Sequence, residues 1–275
     1  MKKVVFFIAG VLIIFAACQQ SPKQQETMSK NPLLQDFDTR FEVPPFEEIK
    51  TSHYLPAIKK AIEAHNSEVK AIAEQEAEPD FENTIAALDY SGMLLDRVTS
   101  VFYNMTSANT SDELQKVAQK VSPLLSGHRD NIRLNADLFA RIKTVYNKKE
   151  KLDMNTEQAT LLEDTYKSFV RGGANLPKEK QARFREINKK LSSLTLKFGE
   201  HVLNETNDFK LFIKDEARLA GLPESVRNAA AESAKEAGKE GQWLFTIHKP
   251  SLIPFLQYAE NRELREKMFK AYINQ

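Results

Sequence analysis

Residues 177–198 read PKEKQARFREINKKLSSLTLKF. Pro177 suits a helix start, and Phe184, Ile187, Leu191, Leu194 and Phe198 recur at steps of 3, 4, 3 and 4. That spacing returns an apolar side chain to one side of an α-helix. The stripe is as narrow as a coiled-coil seam. It lasts barely two heptads, too short for an isolated zipper to be stable. The stripe is therefore expected to pack one long helix against a neighbour in the same fold.

The residues before this stretch carry the same period. Leu55, Ile58, Ile62, Val69 and Ile72 share a face, Pro56 suits a first turn, and Pro79 ends that helix. Ile85, Leu88, Leu95, Val98, Phe102 and Met105 mark a second helix. A third runs through Leu114, Val117, Val121, Leu124 and Leu125, with Ser111 or Asp112 as its cap. Pro123 is expected to kink or split it. A short helix follows around Leu138, Phe139, Ile142 and Val145. In the next, opened by Thr156 and stopped by Arg171-Gly172-Gly173, Leu162, Tyr166, Phe169 and Val170 face inward.

Beyond residue 198 the period changes. Phe209, Leu211 and Ile213 alternate, as do Trp243, Phe245 and Ile247, which predicts two short strands. The Ala- and Glu-rich stretch from Pro223 to Gly238 is helical in composition. The fold class is thus mainly α, with a small strand–helix–strand insert near 208–248 and a last helical pair over Phe255–Glu260 and Arg262–Ile273.

Composition agrees. The chain has 275 residues, of which nine are Gly, about half the usual share of roughly 7 %. Gly-rich phosphate loops, sandwiches and barrels are disfavoured. With 39 Lys and Arg against 38 Asp and Glu, the chain has no basic footprint for nucleic acid. One Cys excludes an internal disulfide framework.

That Cys sits in a distinctive place. Lys2 and Lys3 precede an uncharged apolar run, Val4 to Ala17, of 14 residues, against the roughly 20 a membrane-spanning helix needs. A positive start, a short apolar run and small residues at its end make a secretory signal, residues 1–17. Phe15-Ala16-Ala17-Cys18 resembles a bacterial lipobox, in which the Cys becomes the first mature residue and carries lipid. Phe15 stands where Leu is commoner. Cys18 is thus the expected lipid-attachment residue, with the mature chain on a membrane of the bacterial cell envelope facing the periplasm. Residues 18–36 are expected to be a flexible tether, polar and without period at Gln19–Lys30. In Phe37–Pro45 and just beyond, Phe41, Val43 and Phe46 surround Pro44-Pro45, which predicts an extended segment pinned to the domain.

The residues that could carry chemistry do not assemble into a motif. A gluzincin needs His-Glu-x-x-His on a helix, two imidazoles on one face with Glu beside the metal-bound water. The five His precede Tyr54, Asn66, Arg129, Val202 and Lys249, never Glu. His201 and Glu205 are one turn apart, a surface pair lacking a third ligand. There is no Gly-x-Ser-x-Gly elbow. Ser126-Gly127-His128 reads as a helix-end polar cluster, and Gly238-Lys239-Glu240 lacks the rest of a phosphate loop. No catalytic and no metal residue is assigned.

The order of several segments nevertheless resembles a known family. Asn31-Pro32-Leu33-Leu34 is followed by Pro44-Pro45-Phe46, His53-Tyr54-Leu55-Pro56-Ala57, Phe81-Glu82-Asn83-Thr84-Ile85-Ala86-Ala87-Leu88 and Ser91-Gly92. Leu161-Leu162-Glu163, Tyr166, Phe169-Val170-Arg171 and Gly173-Ala174 come next. Pro250-Ser251-Leu252-Ile253-Pro254-Phe255-Leu256, Tyr258-Ala259, Asn261-Arg262 and Leu264-Arg265-Glu266 close the series. Together they resemble the N-terminal region of the thimet oligopeptidase family of zinc peptidases, more nearly its bacterial dipeptidyl carboxypeptidase branch than its oligopeptidase A-like relatives. The resemblance implies a helical body split by a deep channel. It also implies a zinc site in a C-terminal part, on a His-Glu-x-x-His helix with a downstream Glu ligand. None of those ligands has a counterpart here, so zinc belongs to the full-length enzyme and none is expected on this chain. Residues 37–275 would form one channel wall around short peptides, with the catalytic part absent and the chain inactive alone. The alternative is a lipid-anchored helical module that binds peptides or protein without catalysis.

Overall fold

The computed structural model describes residues 31–275. The signal at 1–17, Cys18 and the first part of the tether lie outside the described residues. Among the described residues the chain is helical apart from two three-residue strands, and no helix is long and apolar enough to cross a membrane. The chain divides into two compact units. Among the described residues the first comprises 31–117 and 132–174, the second 118–131 and 175–275.

In the first unit, α1 (Thr51–Glu74) packs along α3 (Met93–Ala108). Tyr54, Ala57, Ile58 and Ala61 of α1 are buried, as are Leu95, Val98, Val101 and Phe102 of α3. The Tyr54 and Phe102 rings sit 5.2 Å apart. Of the expected face of α1, Ile58, Val69 and Ile72 are buried, while Leu55 and Ile62 are half-buried and Tyr54, Ala57 and Ala61 complete the covered side. Pro56 falls inside α1 rather than in its first turn, because the helix begins at Thr51, and α1 ends at Glu74, before Pro79. The second expected helix is broken. A π-helical turn (Phe81–Ala86) leads into the one-turn α2 (Ala87–Tyr90), and the chain reverses at Ser91-Gly92 before α3. Gly92 has φ +81°, a left-handed conformation that costs Gly little and other residues more. The chain then enters α4 (Asp112–Arg133), where the Ser111 hydroxyl accepts from Leu114 N–H at 3.2 Å.

A second apolar cluster in this unit joins Val69, Ile72 and Ile85 to α5 (Ala136–Asn147) and α6 (Thr156–Arg171). Asn155, not Thr156, caps α6 in a reciprocal box with Gln158. Tyr146 and Tyr166 stack at 3.8 Å, and Phe139 stacks on Tyr166 and Phe169 at 5.9 and 6.2 Å.

The described chain joins this unit at Asn31, inside the stretch expected to be tether. Asn31 Nδ2 donates to His53 O at 2.9 Å, and Leu33 is buried in a 3-10 turn. The segment that follows is not held by Phe41, Val43 and Phe46, all exposed. Arg97 holds it instead, through an ion pair with Asp36 at 2.8 Å and its guanidinium 5.2 Å from the centre of the Phe37 ring.

In the second unit, α7 (Lys178–Asp208) leads to β1 (Leu211–Ile213), α8 (Glu224–Glu236), β2 (Trp243–Phe245), α9 (Lys249–Tyr258) and α10 (Arg262–Ile273). β1 and β2 are antiparallel, with Leu211 opposite Phe245 and Ile213 opposite Trp243. The strand–helix–strand insert thus forms, and its core continues into the last two helices through Leu252, Phe255, Leu264 and Met268.

Two expectations fail in this unit. Pro123 does not split α4, which runs continuously through it. Polar ties on both sides of it hold the helix to α7: Gln119 to Glu200 at 3.1 Å, Ser122 to Ser192 O at 3.2 Å, and Asn188 to Asp130 and Arg185 to Asn131 at 2.7 Å. Of the stripe of α7, only Phe184 is half-buried among the described residues. Ile187, Leu191, Leu194 and Phe198 are 47, 59, 52 and 69 % exposed, and no residue of α7 is buried. The reason is the same set of ties, since α7 turns its polar side toward α4.

Candidate functional site

The histidines serve local structure. The His53 imidazole accepts from Lys50 N–H at the start of α1 at 3.1 Å. Burial, then the Lys50 charge, push its pKa below the ordinary value. His128 is buried in the interior of α4, so Ser126-Gly127-His128 is not at a helix end. His248 precedes α9 and meets the Thr246 hydroxyl at 3.2 Å. His201 and Glu205 are both exposed on α7. Among the described residues no three His, Cys, Asp or Glu side chains are placed to hold a metal ion. The zinc implied by the family resemblance therefore finds no fitting set in residues 31–275.

His65 and Ser91 come closest to a nucleophilic pair, with Nε2 and Oγ 3.1 Å apart. The Ser91 hydroxyl donates to Leu88 O at 2.7 Å, which leaves its oxygen to accept from the imidazole. A histidine that donates to the serine cannot take its proton. The pair instead braces the reversal before α3. The His65 ring lies where a Gly92 Cβ would be, at 2.7 Å, and a Glu68 carboxylate oxygen accepts from Gly92 N–H at 2.7 Å. Burial pushes the His65 pKa down, with Glu68 and Asp96 pulling the other way.

The densest polar site surrounds Arg141, which is buried. Its guanidinium donates to Gln75 O at 3.1 Å, Ala77 O at 3.0 Å, Asn83 Oδ1 at 2.8 Å and Thr84 Oγ1 at 3.3 Å. Asn83 also exchanges bonds with Asp80 and donates to Glu78 O at 2.9 Å. All four partners of Arg141 are neutral, so this is a clamp on the 75–84 loop rather than an ion pair. Sequence reading passed over Arg141. The signal was its place between Leu138, Ile142 and Val145 on the apolar face of α5, where a charge needs a partner.

Two of the surface concavities among the described residues bear on ligand binding. In the second unit, Ser225, Val226, Ala229, Ala230 and Ser233 of α8 face Leu244, Phe245, Pro250 and Ser251 across about 340 Å³. No lining side chain is charged, and the Ser251 hydroxyl is committed to Thr246 N–H at 3.0 Å. In the first unit, Arg133, Lys167 and Arg171 share about 350 Å³ with Asp164, Ser168 and Gly172. Nearby, the Lys167 and Lys149 bonds hold the Glu163 carboxyl below its usual range. These surfaces can bind; neither brings together a nucleophile, a base and an oxyanion donor.

The segments that carry the family resemblance build the fold. Asn31 and Asn261 cap helices, Asn83 anchors the clamped loop, Gly92 makes the reversal, and Phe169 and Phe255 fill the two cores. No family model matches the chain. It is 37 % identical to the dipeptidyl carboxypeptidase of Escherichia coli over 241 residues, 88 % of this chain and 35 % of the relative. The Salmonella typhimurium dipeptidyl carboxypeptidase is 36 % identical over 244 residues, 89 % of this chain and 36 % of the relative. The Salmonella typhimurium oligopeptidase A is 34 % identical over 242 residues, 88 % of this chain and 35 % of the relative. The chain thus spans about a third of the length of these relatives.

Proposed function

Because this chain belongs to the thimet oligopeptidase family, as a counterpart of the N-terminal region of dipeptidyl carboxypeptidase and oligopeptidase A, we propose that it forms a wall of a peptide channel. The complete enzyme cleaves short peptides and releases C-terminal dipeptides. Zinc in the complete enzyme would be held by residues outside 31–275 and would supply the activation of water for that hydrolysis. The chain alone is inactive and binds no zinc.

The supporting observation is the alignment over 88 % of the chain, on segments that shape the fold rather than a reactive centre. The uncharged groove of α8 and β2 suits this role, since it accepts varied peptide side chains without demanding a charge. The test combines peptide-hydrolysis and zinc-content assays on the purified chain with hydrogen exchange in the presence of peptides of about three to eight residues. The expected result is no hydrolysis, no bound zinc and protection at α8 and β2. Hydrolysis by the chain alone would overturn the division of labour, and unchanged exchange at α8 and β2 would overturn the wall.

We further propose that Cys18 carries lipid and holds the chain on the bacterial cell envelope, facing the periplasm. The lipobox-like Phe15-Ala16-Ala17-Cys18 supports this reading. Cys18→Ser is expected to move the chain from the membrane to the soluble fraction. Retention of that variant in the membrane fraction would refute a lipid on this sulfur.

A further inference from the structure

In the first unit the C-terminal ends of two helices meet at a polar concavity. Asp164, Lys167, Ser168 and Arg171 fall within about 60° of Asp164 on α6, since successive residues of a helix turn by about 100°. With Gly172 and with Arg133, the last residue of α4, they line about 350 Å³. Arg133 is held in place. A Cβ on Gly172 would meet the Arg133 Cδ at 2.5 Å, so the missing side chain gives the arginine its path. The guanidinium then donates to the Ser168 hydroxyl at 3.3 Å. Lys167 is drawn toward Glu163 at 3.0 Å. Asp164 and Arg171 are exposed, while Arg133 and Ser168 are half-buried.

Arginines at helix C-termini answer the helix dipole. That does not account for Asp164, which lies on the same face one turn before Ser168. The site is therefore two-ended, with cations at one end and a carboxylate at the other. Asp164 stands about 6 Å along the axis from Ser168, where the Arg133 guanidinium is fixed, and about 10.5 Å from Arg171. In a free amino acid the ammonium nitrogen and the carboxyl carbon are about 2.5 Å apart, and each further residue adds up to about 3.6 Å. A dipeptide thus spans about 6 Å between its charged ends, and a single amino acid falls short. A dianion such as phosphate would meet the cations but also the Asp164 carboxylate. Apolar polypeptide laid over the site would leave its charges unpaired. The arrangement fits a small ligand that carries both signs.

We propose that this concavity binds dipeptides as zwitterions, the carboxylate on Arg133 and Arg171 and the ammonium on Asp164. Guanidinium and carboxylate match as bidentate partners. Ion pairs this open to water contribute only about 0.2–1 kcal/mol each, so a dissociation constant on the order of millimolar is expected. Binding weakens as salt is added. The inference does not rest on the peptidase reading, and the groove of α8 and β2 belongs to the other unit.

The experiment titrates dialanine into the full chain by calorimetry at low salt, beside alanine, acetyl-dialanine, dialanine amide and inorganic phosphate. Hydrogen exchange at saturating dialanine locates the site. Dialanine is expected to saturate in the millimolar range and to slow exchange at 164–172. Blocking either terminus, or shortening to alanine, should weaken binding by about fivefold. Asp164→Asn should bind dialanine and acetyl-dialanine equally. Arg171→Gln should narrow the preference for dialanine over its amide. Both residues are exposed, and a lost preference separates a lost contact from a lost fold. Any of four results overturns the proposal: no binding up to about 20 mM, acetyl-dialanine binding as well as dialanine to the unaltered chain, phosphate binding as tightly as dialanine, or a preference for the free amine that survives Asp164→Asn. Slower exchange at α8 and β2 in place of 164–172 would assign the dipeptide to the peptide groove and also overturn it.

Discussion

Replacing Arg141 with methionine tests how the first unit holds its irregular backbone. The stem of Met occupies much the same space, so little packing is lost, but four hydrogen bonds disappear at once. A net hydrogen bond to a charged group contributes about 1.5–3 kcal/mol. A simple sum of four would exceed what single substitutions cost, since most are below about 5 kcal/mol. Two facts lower it. The guanidinium has neutral partners only, and its buried Nε finds none, so desolvation already offsets part of the gain. Asn83 Oδ1 also keeps Asp80 N–H and the Thr84 hydroxyl as donors. The carbonyls of Gln75 and Ala77 lose this donor. The expected loss is therefore about 3–5 kcal/mol, or roughly 6–20 °C in Tm for a chain of this size. Thermal denaturation by circular dichroism measures the first figure. Hydrogen exchange locates it, with faster exchange expected at 75–90. A loss below about 1 kcal/mol, with exchange of that segment unchanged, would refute the clamp.

Three further outcomes are expected. Gly221→Ala should destabilise the second unit by about 3 kcal/mol or more, because φ is +84° and the new Cβ would clash with the Tyr258 carbonyl oxygen. The single Trp243 on β2 reports it by fluorescence in denaturant, and an unshifted midpoint would refute it. Pro123→Ala should stabilise the protein by about 1–3 kcal/mol, by restoring the N–H and removing the ring from the interior of α4; unchanged or lower stability in urea would count against this. The His65 pKa is lowered in the folded state, so the unfolded chain takes up its proton first as pH falls. The stability tied to a neutral His65 is complete above the ordinary imidazole value and is lost as pH falls through the lower, folded one. His65→Gln should flatten that part of the pH–stability profile, and an unaltered slope would refute the assignment.

The sequence by itself determined the helical class, the strand–helix–strand insert and the family. Those features live in apolar periodicity and in short cap, turn and core segments whose meaning is local. Leu138, Ile142 and Val145 of α5 are buried as their spacing requires. Only the tertiary structure decided which face of a helix is covered. Local spacing shows where apolar side chains lie on a helix and not whether a neighbour reaches them. α4 meets α7 through Gln119, Ser122, Asp130 and Asn131, so Ile187, Leu191, Leu194 and Phe198 remain exposed among the described residues. Pro123 likewise lies inside a continuous helix, with ties to α7 on both sides of it. The role of Arg141 was likewise hidden, since its partners lie 57 to 66 residues away in the chain. A buried charge is specified by acceptors that only folding brings together.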